Sequence, residues 1–132
     1  DEHKNRFELS DELVSVFNDC DVVRRAVRLY NFGPPATLKA WADLAARVKL
    51  TFKYGDDGRR KGLLEDKQVY LVITSGGTKI QGEEDFLTPW LIHMLNFFGI
   101  KKIDIVAADQ MALDYEKSIK NAEEKIKELF KD

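Results

Sequence analysis

The sequence predicts a three-layer α/β domain built on a parallel sheet. Val69-Tyr70-Leu71-Val72-Ile73-Thr74 is a nearly continuous apolar run, the pattern of a strand covered on both faces. Two more strand-like segments stand on either side of it in the chain, Val22 to Leu29 and Ile103-Asp104-Ile105-Val106-Ala107. Segments of helical period alternate with all three, and that alternation leads to parallel strands joined by right-handed crossovers.

The elements follow in order. Asp1 to Glu8 is polar and expected to fray. Ser10 is placed to cap a short helix through Asp19, with Asp11 and Glu12 favourable in its first turn and Leu9, Leu13, Val16 and Phe17 as its apolar stripe. The strand Val22 to Leu29 follows. Pro34 and Pro35 block any earlier start of a helix over Ala36 to Val48, where Leu38, Trp41, Ala42 and Ala45 share a face. Leu50 to Tyr54 reads as extended and Gly55-Asp56-Asp57-Gly58 as a turn. Arg59-Arg60-Lys61 then reads as solvated loop charge, or as an attractor for an anionic ligand. Asp85 to Phe98 reads as a helix with Pro89 in its first turn and Gly99 as its stop. Glu83-Glu84-Asp85 suits the positive end of that helix dipole, as a cap. Asp114 to Phe130 is a long amphipathic helix with Tyr115, Ile119, Ala122, Ile126 and Leu129 inward.

Bulk properties bound the function classes. The 132 residues suit one domain, residues 1–132, and carry 21 basic against 23 acidic groups, a net −2 that offers no general reason to expect nucleic acid. No apolar run approaches the roughly 20 residues of a membrane span. The charged, polar N-terminus does not read as a signal peptide. The single cysteine, Cys20, fits a reducing, cytoplasmic setting and reads as a packing residue at a helix end. His3 and His93 lack metal-ligand spacing, and no phosphate-binding glycine motif opens a helix.

Two loops remain as candidate chemistry. Leu29-Tyr30-Asn31-Phe32-Gly33 and Ser75-Gly76-Gly77-Thr78 each follow a strand, so in a parallel sheet they leave the same edge, where ligands of open α/β sheets sit. Their backbone amides suit the carbonyl oxygens and ring nitrogens of a flavin. Tyr30 and Phe32 suit its face. The plain alternative is a pair of connecting turns.

The residues that carry a more specific resemblance are Leu-Tyr-Asn-Phe-Gly-Pro-Pro-Ala-Thr-Leu-Lys-Ala-Trp (29–41), Leu-Thr-Phe-Lys-Tyr (50–54), Gly-Leu-Leu (62–64), Val-Ile-Thr-Ser-Gly-Gly (72–77), Asp-Phe-Leu-Thr-Pro-Trp-Leu (85–91) and Phe-Phe-Gly-Ile (97–100). In this order they look like the FMN-dependent NADH-azoreductases, flavodoxin-like reductases of quinones and azo compounds. The resemblance runs from about Ser10 to the C-terminus. It implies FMN as cofactor, NADH as co-substrate, ping-pong hydride transfer, and a homodimer with FMN near the subunit interface. It places Leu29, Tyr30, Asn31, Phe32 and Gly33 along the isoalloxazine, and Ser75, Gly76, Gly77 and Thr78 beside its pyrimidine side. It assigns no catalytic side chain.

The departures from that family shape the expectation. Its members begin with a strand, a Ser-rich phosphate loop, a helix and a second strand, and this sequence starts after these, so the expected fold is a flavodoxin-like sheet shortened to about three strands. In the order 2-1-3-4-5 the strand at residues 22–29 becomes an edge. The family's apolar strand is here interrupted by Arg24, Arg25 and Arg28. Alternation puts Arg24, Ala26 and Arg28 on one exposed face and Arg25 among Val23, Val27 and Leu29, where it needs a partner or a route to solvent. The Ser75-Gly76-Gly77 loop is also shorter than the arginine- or polar-bearing versions of the family. Two functions stay open on these grounds: an FMN-dependent reductase, or a non-catalytic shortened domain, selected or engineered, without tight FMN binding. Completion of the edge by another chain and use of the basic edge as an interaction module are weaker readings.

Overall fold

In the computed structural model, which describes the backbone of residues 2–131 and side chains from Phe7 to Lys131, the elements are α1 (Glu2–Asp19), β1 (Val22–Arg28), α2 (Ala36–Ala45), β2 (Phe52–Tyr54), β3 (Arg60–Gly62), β4 (Gln68–Thr74), α3 (Leu87–Phe97), β5 (Lys102–Ala108) and α4 (Tyr115–Leu129). The main sheet has the order β1-β4-β5 and both pairings are parallel, with Val22 opposite Gln68 and Gln68 opposite Lys102. This is the three-stranded parallel sheet that the alternating pattern predicts.

Helices cover the two faces unequally. Val69, Leu71 and Ile73 of β4 are fully buried against Phe17 of α1, Leu38 and Ala45 of α2, and Leu91, Leu95 and Phe98 at α3. On the other face α4 lays Ala122, Ile119 and Leu129 against Val72 and Val106. The cover on that side is partial. Burial therefore alternates along β4, where the apolar run suggested two fully covered faces. Phe17, Trp41 and Phe98 pack edge to face, with ring centres 5.6 to 6.4 Å apart, and lock α1, α2 and the end of α3 together.

Several local expectations change. Helix α1 begins at Glu2, so Ser10 lies inside it and does not cap it. Ser10 is buried, and its Oγ donates to Leu44 O at 2.7 Å. Val14 and Phe17 form the buried part of α1, whereas Leu9 and Val16 are exposed. The side chain of His3 lies outside the described residues. Asp11 pairs with Arg47 at 3.0 Å, which ties α1 to the end of α2. Lys67 reaches Asn18 O at 2.8 Å and Cys20 O at 2.6 Å, so a lysine distant in sequence satisfies one carbonyl in the last turn of α1 and one just beyond it.

Helix α2 stops at Ala45, short of Val48, because Thr51 Oγ1 accepts from Arg47 N–H and donates to Ala45 O, turning the chain. Arg60 and Lys61 are not loop residues: they form β3, paired antiparallel with β2. Gly62 at its end sits directly on the backbone of Phe98 and Gly99; a Cβ there would overlap the Gly99 nitrogen. Gly99 has φ +100°, and Gly99 N–H to Asn96 O with Ile100 N–H to Leu95 O, both 2.9 Å, closes α3 in a Schellman motif. At the start of α3, buried Asp85 accepts from Leu87 N–H at 3.0 Å, Thr88 N–H at 2.9 Å and Gln81 N–H at 2.8 Å. Asp114 caps α4 through Lys117 N–H. Tyr115 and Ile126, expected inward, are exposed.

Candidate flavin site at the carboxyl edge of the sheet

Parallel pairing brings the two candidate loops side by side. Arg28 is opposite Thr74, and Leu29 N–H donates to Thr74 O at 2.9 Å at the point where both strands end. Leu29 is buried and anchors its loop. Tyr30 and Gly33 then exchange backbone hydrogen bonds, at 3.2 and 2.9 Å, around Asn31 at φ +46° and Phe32 at φ +67°. Two consecutive left-handed residues between a bonded pair define a type I′ turn. Asn tolerates that region; Phe does so only where the surroundings impose it. Phe32 O accepts from Phe86 N–H at 2.9 Å, which fixes the turn to the start of α3. Tyr30, Phe32 and Phe86 all leave their rings about half exposed or more.

The second loop is held from below. Ser75 is buried, and its Oγ donates to Thr78 O and accepts from Gln110 N–H at 3.1 Å. Ser75 N–H donates to Ala108 O, Ser75 O accepts from Met111 N–H, and Gly76 O accepts from Ala112 N–H. The Ser75 and Gly76 carbonyls are thus engaged with the segment after β5. Among the described residues the amides of Asn31, Phe32, Gly76, Gly77 and Thr78 donate to no protein acceptor. Cβ atoms built at Gly33, Gly76 and Gly77 would meet nothing within 4 Å, and none of the three has a positive φ. These glycines leave open an approach that a side chain would obstruct.

The carboxyl edge is therefore an aromatic shelf with unsatisfied backbone donors. That donor set fits the flavin ring: N–H groups for its carbonyls and ring nitrogens, Tyr30 and Phe32 for its face. Among the described residues five non-glycine positions have positive φ, and four of them, Asn31, Phe32, Gln81 and Gln110, lie in the loops of this edge. Backbone of this kind concentrates at binding sites. A cleft of about 540 Å³ lies elsewhere; it is lined by Asp21, Lys53, Lys61 and Lys67 and includes none of the loop residues. Its buried lysine, Lys67, is already satisfied by two carbonyls. Sequence reasoning overlooked Phe86 and Gln110, whose places depend on contacts between segments distant in the chain. His93 is an exposed residue of α3, and among the described residues no group of His, Cys, Asp and Glu could hold a metal ion.

Comparison with known proteins decides the family. The model of a flavodoxin-like fold family, Flavodoxin_2, matches residues 1–130. The chain is 62% identical over 130 residues to an FMN-dependent NADH:quinone oxidoreductase of Pelagibacter ubique, covering 98% of this chain and 67% of that protein. This chain belongs to the flavodoxin-like FMN-dependent NADH:quinone oxidoreductase family. An enzyme of the same description from Thiobacillus denitrificans is 43% identical over 92% of this chain and 59% of its own length. The chain thus spans about three fifths to two thirds of these relatives. Among solved structures, an FMN-dependent NADH-azoreductase from Bacillus anthracis in complex with FMN superposes with a TM-score of 0.85, at 29% identity over 97% of this chain and 63% of that one. The parallel order of β1, β4 and β5 is what that kinship requires.

Proposed function

We propose that this chain binds FMN by its ring at the carboxyl edge of the sheet and serves NADH-dependent reduction of quinones or azo compounds. The observation that carries the reading is the set of unpaired amides at Asn31, Phe32, Gly76, Gly77 and Thr78, in two loops tied together by the Leu29–Thr74 hydrogen bond. When bound, FMN supplies the hydride relay between NADH and the acceptor. The chain's own part is to orient the ring. The Gly76, Gly77 and Thr78 amides bind its polar edge, the Tyr30–Gly33 turn presents aromatic surface to its face, and Ser75 keeps the second loop in place through Thr78 and Gln110. Leu29 sets the height of the turn above the sheet by its burial. No side chain in these loops is needed as an acid or base by this reading.

Three further features belong to the proposal. The exposed rings of Tyr30, Phe32 and Phe86, with exposed Leu113 and Tyr115 nearby in the following segment, favour a second copy of the chain against this edge, as a homodimer. Half-buried Cys20, with its thiol toward Phe17 O, suits a reducing, cytoplasmic setting. No described helix is long and apolar enough to cross a membrane, and the net charge of −2 gives no pull toward nucleic acid. The test is an FMN titration followed by NADH oxidation with a quinone acceptor. A shifted flavin spectrum that NADH bleaches supports the reading. An unshifted spectrum with no NADH oxidation overturns it.

A further inference from the structure

Two consecutive amides at the end of the second loop are held by carboxylates from different parts of the chain. Ile80 N–H donates to Asp109 Oδ2 and Gln81 N–H to Asp85 Oδ2, both at 2.8 Å. Asp85 precedes α3 and also accepts from Leu87 N–H and Thr88 N–H, so it caps that helix as well. Asp109 follows directly on β5, and among the described residues its carboxylate has one partner, the Ile80 amide. The Ile80 side chain is buried, which fixes the depth of this end of the loop. At the other end the next residue, Gln110, donates its N–H to Ser75 Oγ at 3.1 Å. Asp109 and Gln110, neighbours in the chain, thus hold opposite ends of the segment from Ser75 to Ile80. Gln110 itself sits at φ +53°, and its carbonyl accepts from Leu113 N–H at 2.8 Å and Asp114 N–H at 3.2 Å, so the support is fixed in turn. Between the two holds lie Gly76, Gly77 and Thr78, whose amides donate to no protein acceptor. Glycine restricts its own backbone little, so the direction of these amides depends on how the ends are held.

We propose that Asp109 is a positioning residue of the flavin site: by holding the Ile80 amide it fixes the direction of the Gly76, Gly77 and Thr78 amides before the ring arrives. The inference rests on the flavin reading, and Asp109 acts through the loop rather than on the ring. A carboxylate that accepts from a backbone N–H makes a charge-assisted hydrogen bond, stronger than the carbonyl bonds of an ordinary turn. Donors fixed in advance bind a ligand with less loss of backbone freedom, which is the gain from preorganisation. Asp85 cannot show this role in isolation, because its removal also uncaps α3. Asp109 can, because its carboxylate holds the loop and no helix.

The test joins a measurement without flavin to one with it, on the intact chain. In the flavin-free chain, Asp109→Ala lowers the backbone heteronuclear NOE of Gly76, Gly77 and Thr78, a readout of motion on the picosecond to nanosecond scale, and leaves that of Asn31 and Phe32 unchanged. The same variant weakens FMN binding roughly tenfold, the cost of ordering about one backbone residue on binding. Asp109→Ser, polar but too short to reach Ile80, behaves as Asp109→Ala. Asp109→Asn keeps an acceptor at the same place without the charge and loses at most about twofold. Asp114→Ala, which removes the cap of α4, lowers the urea midpoint and leaves both the NOE values and FMN affinity unchanged. Second-loop amides that stay ordered in Asp109→Ala, while the parent binds FMN, overturn the inference and leave the flavin reading standing. So does a loss of affinity in Asp114→Ala as large as that in Asp109→Ala, which would make the effect one of stability, or a loss in Asp109→Asn as large as that in Asp109→Ala. Amides that loosen as expected in a chain whose parent takes up no FMN overturn the flavin reading, and the role of Asp109 falls with it.

Discussion

Gly62 and Gly99, thirty-seven positions apart, touch backbone to backbone: the Cβ that Gly62 lacks would occupy the space of the Gly99 nitrogen and the Phe98 carbonyl carbon. The contact seats the β2–β3 hairpin on the end of α3, and Leu64 N–H to Phe98 O at 2.8 Å completes the junction. Because the obstructing atoms are main chain, they cannot rotate away. Gly62→Ala should therefore lower stability by roughly 3 kcal/mol in urea unfolding, at the top of the range for overpacking. Gly76→Ala, whose Cβ would meet nothing within 4 Å, should unfold within about 0.5 kcal/mol of the parent.

The same Gly76 substitution should separate stability from binding. A methyl group on the open side of the second loop stands where the flavin ring is proposed to approach. Gly76→Ala should weaken FMN binding severalfold by fluorescence titration while the urea midpoint stays put. A midpoint that falls together with affinity would give Gly76 a structural role instead.

Asn31 holds φ +46° inside the Tyr30–Gly33 turn. A β-branched residue there meets the full left-handed penalty, so Asn31→Val should cost roughly 1–2 kcal/mol and Asn31→Gly close to nothing. Thermal or urea unfolding of the two variants checks this. Equal stabilities would mean that the turn relaxes.

How far the chain could be read without its fold depends on how local each cause is. Val69 to Ile73 announced a central strand because an apolar run is a local signal; Val69, Leu71 and Ile73 are buried, and Tyr70 and Val72 are partly covered. Asp85, Gly99 and Asp114 were legible as helix punctuation because caps act within one turn. Arg25 could be seen to need help, but the helper is Trp41 on the next helix, sixteen positions on. The start of α1 was missed because its first turns carry charge and little apolar periodicity, and Ser10, which resembles a cap, instead turns inward to Leu44. The hairpin was half missed because Arg60 and Lys61 are exposed on a three-residue strand, and what holds them is Gly62 against Gly99. For the candidate site, both loops and their shared edge followed from strand order. Phe86 and Gln110 did not, since tertiary hydrogen bonds bring them in.

Lys67 gives a further test of a nonlocal cap. Its ammonium donates to both Asn18 O and Cys20 O. Lys67→Met keeps most of the stem and leaves two carbonyls without their charged donor, and should cost about 1–3 kcal/mol. Hydrogen exchange should report the loss first in the last turn of α1. Exchange unchanged there would mean that water replaces the lysine at no cost.

The most direct test of the central claim, that two tethered loops at the carboxyl edge hold a flavin ring for NADH-driven reduction, is one titration. FMN is added to the purified chain and its absorbance followed, then NADH and a quinone are added. The expected result is a shifted, structured flavin band, bleached by NADH and restored by the quinone, with both steps weakened by Gly76→Ala. A flavin band identical to that of free FMN, with NADH left unoxidised, would contradict it.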